Sequence, residues 1–233
     1  MKKANKKIYV KINATDSSVV FSGITFAEFE KYLIKPMDNI MSLSGGSSCI
    51  SWQTEFERRL ELFEGRELVK SLTRENLYAL GDFCFVDYGK PSAPQELSEQ
   101  QIAELLYLGH MIKPLHSPFF EPLENRFAYL AHDDGWYCKL YCRDVSEFLP
   151  VLCRKIAAGK KTPFSADAQQ GLRQIAENGL LIDLKEDSGP MVKVYTVGEY
   201  ENMDDVLNDW ENIKANAEKT NMLTLCGRKW TLD

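Results

Sequence analysis

Apolar residues recur every three or four positions in five segments of the chain, which is the period of a helix that buries one face. Three of these segments begin with a capping box, in which serine, threonine or aspartate stands three residues before glutamate or glutamine. The three pairs are Thr54 with Glu57, Ser98 with Gln101, and Asp144 with Glu147. Ser165 is predicted to cap the fourth helix and Gly179 to end it. The fifth helix is predicted from residue 203 to about residue 218.

The first and the last of these helices predict which side chains are buried. In the first, Phe56, Leu60 and Phe63 share one face before Gly65 ends the helix. In the last, apolar residues at steps of four, three and four are predicted to face the core. They are Val206, Trp210, Ile213 and Ala217. Trp210 is the largest of them and is predicted to anchor this helix.

Other segments alternate apolar and polar residues, or are rich in β-branched and aromatic residues, and these are predicted strands. In chain order they read KIYVKIN, SVVFS, DFCFVDY, RFAYLA, WYCKLYC, LLIDL, MVKVYTV, MLTLC and KWTL. Helices and strands do not alternate regularly along the chain. The pattern therefore favours an α+β fold with antiparallel hairpins and about five to seven helices over a doubly wound parallel sheet.

A chain of 233 residues can form one large domain or two smaller ones. The segment GKPSAPQELS, residues 89–98, separates periodic segments with prolines, serines and a glycine. It predicts a boundary between an N-terminal α+β lobe, 1–90, and a C-terminal α+β lobe, 91–233. A surface loop within a single domain, 1–233, fits the same composition, and both alternatives stay open.

The charge balance limits the kinds of partner. The formal net charge is −6 and the sequence pI is about 5.3, and such a balance disfavours binding to nucleic-acid backbones, which needs a basic field. No apolar run approaches the roughly 20 residues of a membrane-spanning helix. The lysine-rich N-terminus lacks the apolar region of a signal peptide. We therefore expect a soluble cytoplasmic protein that binds neither membranes nor nucleic acids.

The stretch FAYLAHDDGWYCKLYC, residues 127–142, predicts a hairpin. Asp134 and Gly135 suit the centre of a two-residue turn, where both residues need positive φ. That turn places Ala131 opposite Cys138. A three-residue loop, 133–135, would instead place Ala131 opposite Tyr137, and a shift of one residue exchanges the two faces of a strand. The two-residue turn is the preferred alternative.

In the preferred register the two faces of the hairpin differ in character. The apolar face holds Phe127, Tyr129, Ala131, Trp136, Cys138, Leu140 and Cys142. The opposite face is the candidate binding surface, and it holds Arg126, His132, Tyr137, Lys139, Tyr141 and Arg143. Tyrosine and arginine supply large, rigid contact area and charge, and they are enriched among the residues that dominate protein interfaces.

A catalytic alternative uses Cys49, which lies in the glycine- and serine-rich segment SLSGGSSCISWQTEFE. Cys49, His132 and Asp133 are the residue types of a Cys-His-Asp hydrolase, and His132 with Asp133 and Asp134 is a second possible group. Cys49 is about eighty positions from the others, and no spacing predicts that they meet. The segment also lacks the lysine of a phosphate-binding loop.

The six cysteines contain no Cys-x-x-Cys pair, so they do not have the spacing of a zinc site. Most have apolar or aromatic neighbours, and Cys84, Cys138, Cys153 and Cys226 are predicted to be buried free thiols. We expect no metal and no cofactor. The leading hypothesis is a non-catalytic binding or regulatory protein, adaptor-like or immunity-like, whose partner is another protein or a small ligand. The alternative is a hydrolase.

Overall fold

The structure is a computed structural model, and the residues that it describes are 6–44, 60–74, 82–111, 113–132, 137–200 and 203–233. They mix helices with antiparallel strands, which confirms the α+β prediction. The chain divides into two compact units. The first comprises Met1–Ile34 and Val145–Asp233, and the second comprises Lys35–Asp144. The segment 89–98 lies within the second unit.

The first unit pairs strands from both ends of the chain. Its strands are β1 (Lys7–Asn13), β2 (Ser18–Ser22), β8 (Leu180–Asp183), β9 (Met191–Thr196), β10 (Lys219–Cys226) and β11 (Lys229–Leu232). Their order is β11-β10-β9-β8-β1-β2, and each neighbouring pair is antiparallel. Its helices are α1 (Phe26–Tyr32), α4 (Phe148–Lys160), α5 (Gln169–Ala176), α6 (Met203–Asn208) and α7 (Trp210–Ala215). Each predicted strand segment of this unit overlaps one of these strands, and LLIDL and MVKVYTV each extend one residue beyond the strand.

Helix α1 is tied to α4 by an ion pair whose lysine is buried and whose glutamate is partly exposed. Thr25 and Glu28 form a capping box at the start of α1, with the Thr25 side chain accepting from the Glu28 backbone N–H at 3.2 Å. The same Glu28 carboxylate accepts from Lys155 Nζ of α4 at 2.6 and 2.7 Å. The Lys155 side chain is only 4% exposed. One glutamate thus fixes both the start of α1 and its position against α4.

Gly179 ends the α5 segment as the sequence predicted. Its φ is +83°, a conformation that side chains with a Cβ rarely adopt. A Cβ at this position would collide with the carbonyl oxygen of Gly198. The glycine therefore allows the chain to turn directly from α5 into β8.

The second unit is continuous in sequence. Its strands are β3 (Asn39–Ser44), β4 (Leu60–Glu64), β5 (Phe83–Tyr88), β6 (Phe127–His132) and β7 (Tyr137–Cys142). Their order is β7-β6-β5-β3-β4, again with antiparallel pairs. Its helices are α2 (Arg66–Leu72) and α3 (Glu99–Met111). Helix α3 begins with the predicted capping box, in which the backbone N–H groups of Ser98 and Gln101 donate to each other's side chains at 2.9 and 3.2 Å.

The predicted first helix is wrong over the part that the structure describes. Residues 60–64 form β4, which pairs with β3 and is the last strand in the order of the second unit. The spacing of Leu60 and Phe63 suits a helix, but pairing with a neighbouring strand decides the conformation of so short a segment. Thr54, Glu57 and Phe56 lie outside the described residues.

Two further helix predictions need correction, one at the start of the helix and one in its middle. Ser165 does not cap α5, because its hydroxyl accepts from the N–H of Asp167 at 3.3 Å and the helix begins later, at Gln169. The last predicted helix is divided at Asp209, where φ is −115° and ψ is 32°. The Asp209 carboxylate accepts from the Asn212 side chain at 2.8 Å. Such local hydrogen bonds of aspartate compete with a continuous helix.

Asp87, at the end of β5, holds the start of β6 through a buried carboxylate. It accepts from the backbone N–H groups of Arg126 and Phe127 at 2.9 and 2.7 Å, and from Arg126 Nε at 3.3 Å. Burial nevertheless raises the pKa of Asp87 to about 6, because desolvation outweighs these donors.

This raised pKa predicts a dependence of stability on pH. Between the unfolded pKa of about 3.9 and the folded pKa of about 6, the folded protein holds a proton that the unfolded chain has lost. Relative to Asp87→Asn, the free energy of unfolding should therefore fall by about 2–3 kcal/mol as the pH rises from about 4 to about 6. Urea titrations of both proteins across this range measure the difference. A relative gain with rising pH would contradict it.

Candidate functional site

The hairpin of β6 and β7 has the register of the two-residue turn. Ala131 lies opposite Cys138, and His132 lies opposite Tyr137. This confirms the preferred alternative and contradicts the three-residue loop, which would place Ala131 opposite Tyr137. Residues 133–136, and with them the predicted turn itself, lie outside the described residues.

The apolar face of this hairpin is buried as predicted. Its described members are Phe127, Tyr129, Ala131, Cys138, Leu140 and Cys142. The Tyr129 hydroxyl lies 3.1 Å from Cys138 Sγ. Burial raises the pKa of the Cys138 thiol to about 12, so this cysteine is protonated at neutral pH. It serves the core.

The opposite face carries a half-buried cluster beside the end of the hairpin. The rings of His132 and Tyr137 stack with centroids 4.6 Å apart and an interplanar angle of 4°. Lys139 Nζ lies 4.8 Å from the centre of the Tyr141 ring, which is within the range of a cation–π interaction. His132, Tyr137 and Lys139 are each partly exposed. We call these three residues the hairpin patch.

Tyr141, in contrast, belongs to the core of the second unit. Its side chain is 4% exposed and joins a cluster with Leu105 and Leu108 of α3. Helix α3 therefore covers the middle of the predicted binding face. Tyr141 contacts Lys139 through its ring, but it is too deeply buried to contact a partner itself.

Arg126 and Arg143 lie at the open end of the hairpin. With a rise of about 3.3 Å per residue, Arg126 is about 20 Å along the strand from His132. Arg126 donates to the carbonyl oxygens at positions 35 and 36, each at 3.1 Å, as well as to Asp87. Arg143 Nε donates to the Asn125 carbonyl at 2.6 Å. Both arginines fix loops, and the structure does not bring them to the hairpin patch.

The catalytic alternative falls mainly on residues outside the described part of the chain, namely Cys49, Asp133 and Asp134. Burial raises the pKa of Cys84 and of Cys153 to about 12, the opposite of what a nucleophilic thiolate needs. Cys226 is exposed, so the prediction that it is buried is wrong. Within the described residues, no group of three or more metal-binding side chains converges.

A groove in the first unit was not predicted from the sequence. It has a volume of about 850 Å³ and lies between α5 and the strands β9, β10 and β11. Its walls include Asn221 and Trp230, both buried, and the exposed carboxylates Asp167 and Glu218. One signal was present in the sequence, since Asn221 shares the alternation of Leu223 and Leu225 and so stands on their apolar face.

Comparison of the chain with protein-family models, with curated proteins and with solved structures finds no match in any of the three. The described helices include none that is long and apolar enough to cross a membrane. The functional argument therefore starts from the hairpin patch and the groove themselves.

Proposed function

We propose that this is a non-catalytic binding protein, adaptor-like or immunity-like, that contacts another protein through the hairpin patch. The observation that carries the proposal is the stacked pair of His132 and Tyr137, partly exposed beside Lys139. Aromatic side chains next to a cation are common at the energetic centre of protein interfaces.

The hairpin supports this role because its register brings the patch together. His132 and Tyr137 are direct cross-strand partners, and their rings stack on each other. Lys139 lies over the buried Tyr141 ring, which limits its freedom. Side chains that are ordered before binding lose less conformational entropy when a partner arrives. The ammonium group of Lys139 favours an acidic site on that partner.

Substitution of the patch should weaken binding without unfolding the protein. Tyr137→Ala and Lys139→Glu are each expected to raise the Kd for the partner at least about tenfold, as removal of an interface hot spot does. Quantitative co-purification from the cells that naturally make the protein identifies candidates, and calorimetry with the purified partner gives the Kd. Urea titration checks that each variant remains folded.

Lys113→Glu is the matched control, because Lys113 is exposed in the same unit and forms no ion pair with the residues that the structure describes. It should leave the Kd unchanged. A stoichiometric partner whose Kd is the same for the wild type, Tyr137→Ala and Lys139→Glu would refute the proposed surface.

A further inference from the structure

We infer that the groove of the first unit is a peptide-binding site, which takes an extended, basic segment of another protein as an added strand on β11. This goes beyond the proposed function, because it uses a different unit of the chain and different residues. Four observations support it: the stripe of lining residues along α5, the free edge of β11, the amide of a largely buried asparagine, and the charge of the rim.

The wall formed by α5 and its flanks is a single stripe. Asp167, Gly171, Gln174 and Asn178 line the groove at steps of four, three and four, so they share one face of the helical segment. Gly171 lets the helix approach the sheet closely, since a Cβ there would lie 2.7 Å from Leu232 Cδ2. The lining of the groove therefore runs along the helical segment, the direction in which an extended peptide would lie.

The opposite wall includes β11, the edge strand of the first unit, together with residues of β9 and β10. Four consecutive residues, 230–233, line the groove, although neighbouring side chains of a strand point to opposite faces. The groove must therefore reach the backbone of the strand. Met222 and Asp233 exchange both backbone hydrogen bonds, at 3.2 and 3.1 Å.

The antiparallel pattern alternates, so the N–H and C=O groups of Trp230 and Leu232 point away from β10. Among the described strands, β11 has no other neighbour. These backbone groups are placed to pair with a strand of a ligand, a recurrent mode of peptide recognition.

One largely buried side chain offers its amide to the groove. Asn221 is 5% exposed and lines the groove, and its amide makes no hydrogen bond with any residue that the structure describes. The Asn221 amide can both donate and accept, and a peptide backbone or polar side chain in the groove supplies the complementary groups.

The charge of the rim selects a basic ligand. The groove is lined by the carboxylates of Asp167, Glu218 and Asp233 and by one ammonium group, that of Lys219. No ion pair joins any of these carboxylates to a cation within the described part of the chain. Lysine or arginine on alternate residues of the bound segment would meet this rim, while its other side chains face away.

The probe is a blocked, fluorescently labelled heptapeptide in which valine and lysine alternate. Fluorescence anisotropy should show saturable binding to the full-length protein. A peptide with glutamate in place of lysine should bind at least tenfold more weakly. A third peptide, N-methylated at alternate residues, keeps the charge but cannot pair as a strand. It should also bind at least tenfold more weakly than the lysine peptide.

Variants of the protein test the rim. Glu218→Lys should raise the Kd of the lysine peptide at least tenfold. Asp205→Lys, an exposed carboxylate of α6 outside the groove, makes the same charge change and should leave the Kd unaltered. Tyr137→Ala should also leave the Kd of the lysine peptide unaltered. The proposal for the groove can therefore fail or succeed independently of the proposal for the hairpin patch.

Hydrogen exchange locates the bound peptide. The amide protons of Trp230 and Leu232 should exchange at least tenfold more slowly when the peptide is bound, because they then donate to it. Absence of saturable binding, equal affinity for the glutamate peptide, or unchanged exchange at these two amides would each overturn the inference.

Discussion

Replacing Lys155 by methionine should lower the free energy of unfolding by about 3 kcal/mol, the lower end of the range for breaking a buried ion pair. The substitution keeps the length of the side chain and removes its charge. Glu28 would lose both hydrogen bonds from the ammonium group while remaining mostly buried. Urea titration monitored by circular dichroism measures the change. Because Glu28 also caps α1, the loss should include loosening of that helix.

The matched control adds Glu28→Gln to Lys155→Met. Glutamine keeps the capping box, since it can accept from the Thr25 backbone N–H as glutamate does. The double variant removes the unpaired charge and should recover at least about half of the lost stability. Equal losses in the single and the double variant would show that the charge pair is not what Lys155 contributes.

Replacing Trp210 by alanine should cost about 3–5 kcal/mol, the range for emptying a buried site of a large aromatic side chain. Trp210 is 3% exposed at the start of α7, and Val206 and Ile213 are buried with it. Lys7 Nζ lies 5.2 Å from its ring centre and adds a cation–π contact. Urea titration gives the loss directly.

Trp210→Phe is the control for the aromatic volume. The indole N–H of Trp210 has no hydrogen-bond partner among the described residues, so phenylalanine loses contact area but no polar interaction. We expect a cost clearly smaller than that of alanine, because phenylalanine keeps most of the aromatic contacts and leaves a smaller cavity. A loss below about 1 kcal/mol in Trp210→Ala would mean that α6 and α7 are peripheral to the stability of the unit.

The pairing of β6 with β7 could be predicted to the residue because its information is local. Alternating apolar residues assign the faces, and a two-residue turn sets the register. The same logic located β1, β2 and β9 closely. Strands that are apolar and bounded by turn residues leave few alternatives.

Elements that depend on distant partners were harder to predict. Residues 60–64 carry a helical spacing but pair with β3, a strand that the sequence pattern did not indicate. Helix α1 is short and was missed, although its capping box of Thr25 and Glu28 is visible in the sequence. Its stability depends on the contact with Lys155, more than a hundred positions away. No local window contains that contact.

The two candidate sites also differ in how far they can be predicted from the sequence. The hairpin patch follows from register alone, and His132, Tyr137 and Lys139 were predicted to share its face. Tyr141 was buried by α3, which the pattern of the hairpin cannot show. The groove needs α5, β10 and β11 together, so its residues carry no common motif. Only tertiary structure places them in one wall.

The divided first unit has a consequence for how the protein is made. Strand β1 pairs with β8, with Lys7 opposite Asp183, so its partner is translated roughly 9–35 seconds later at about 5–20 residues per second. The continuous second unit leaves the ribosome in that interval and can fold first. One edge of β1 must stay unpaired, within reach of chaperones and proteases, until the chain beyond residue 180 emerges.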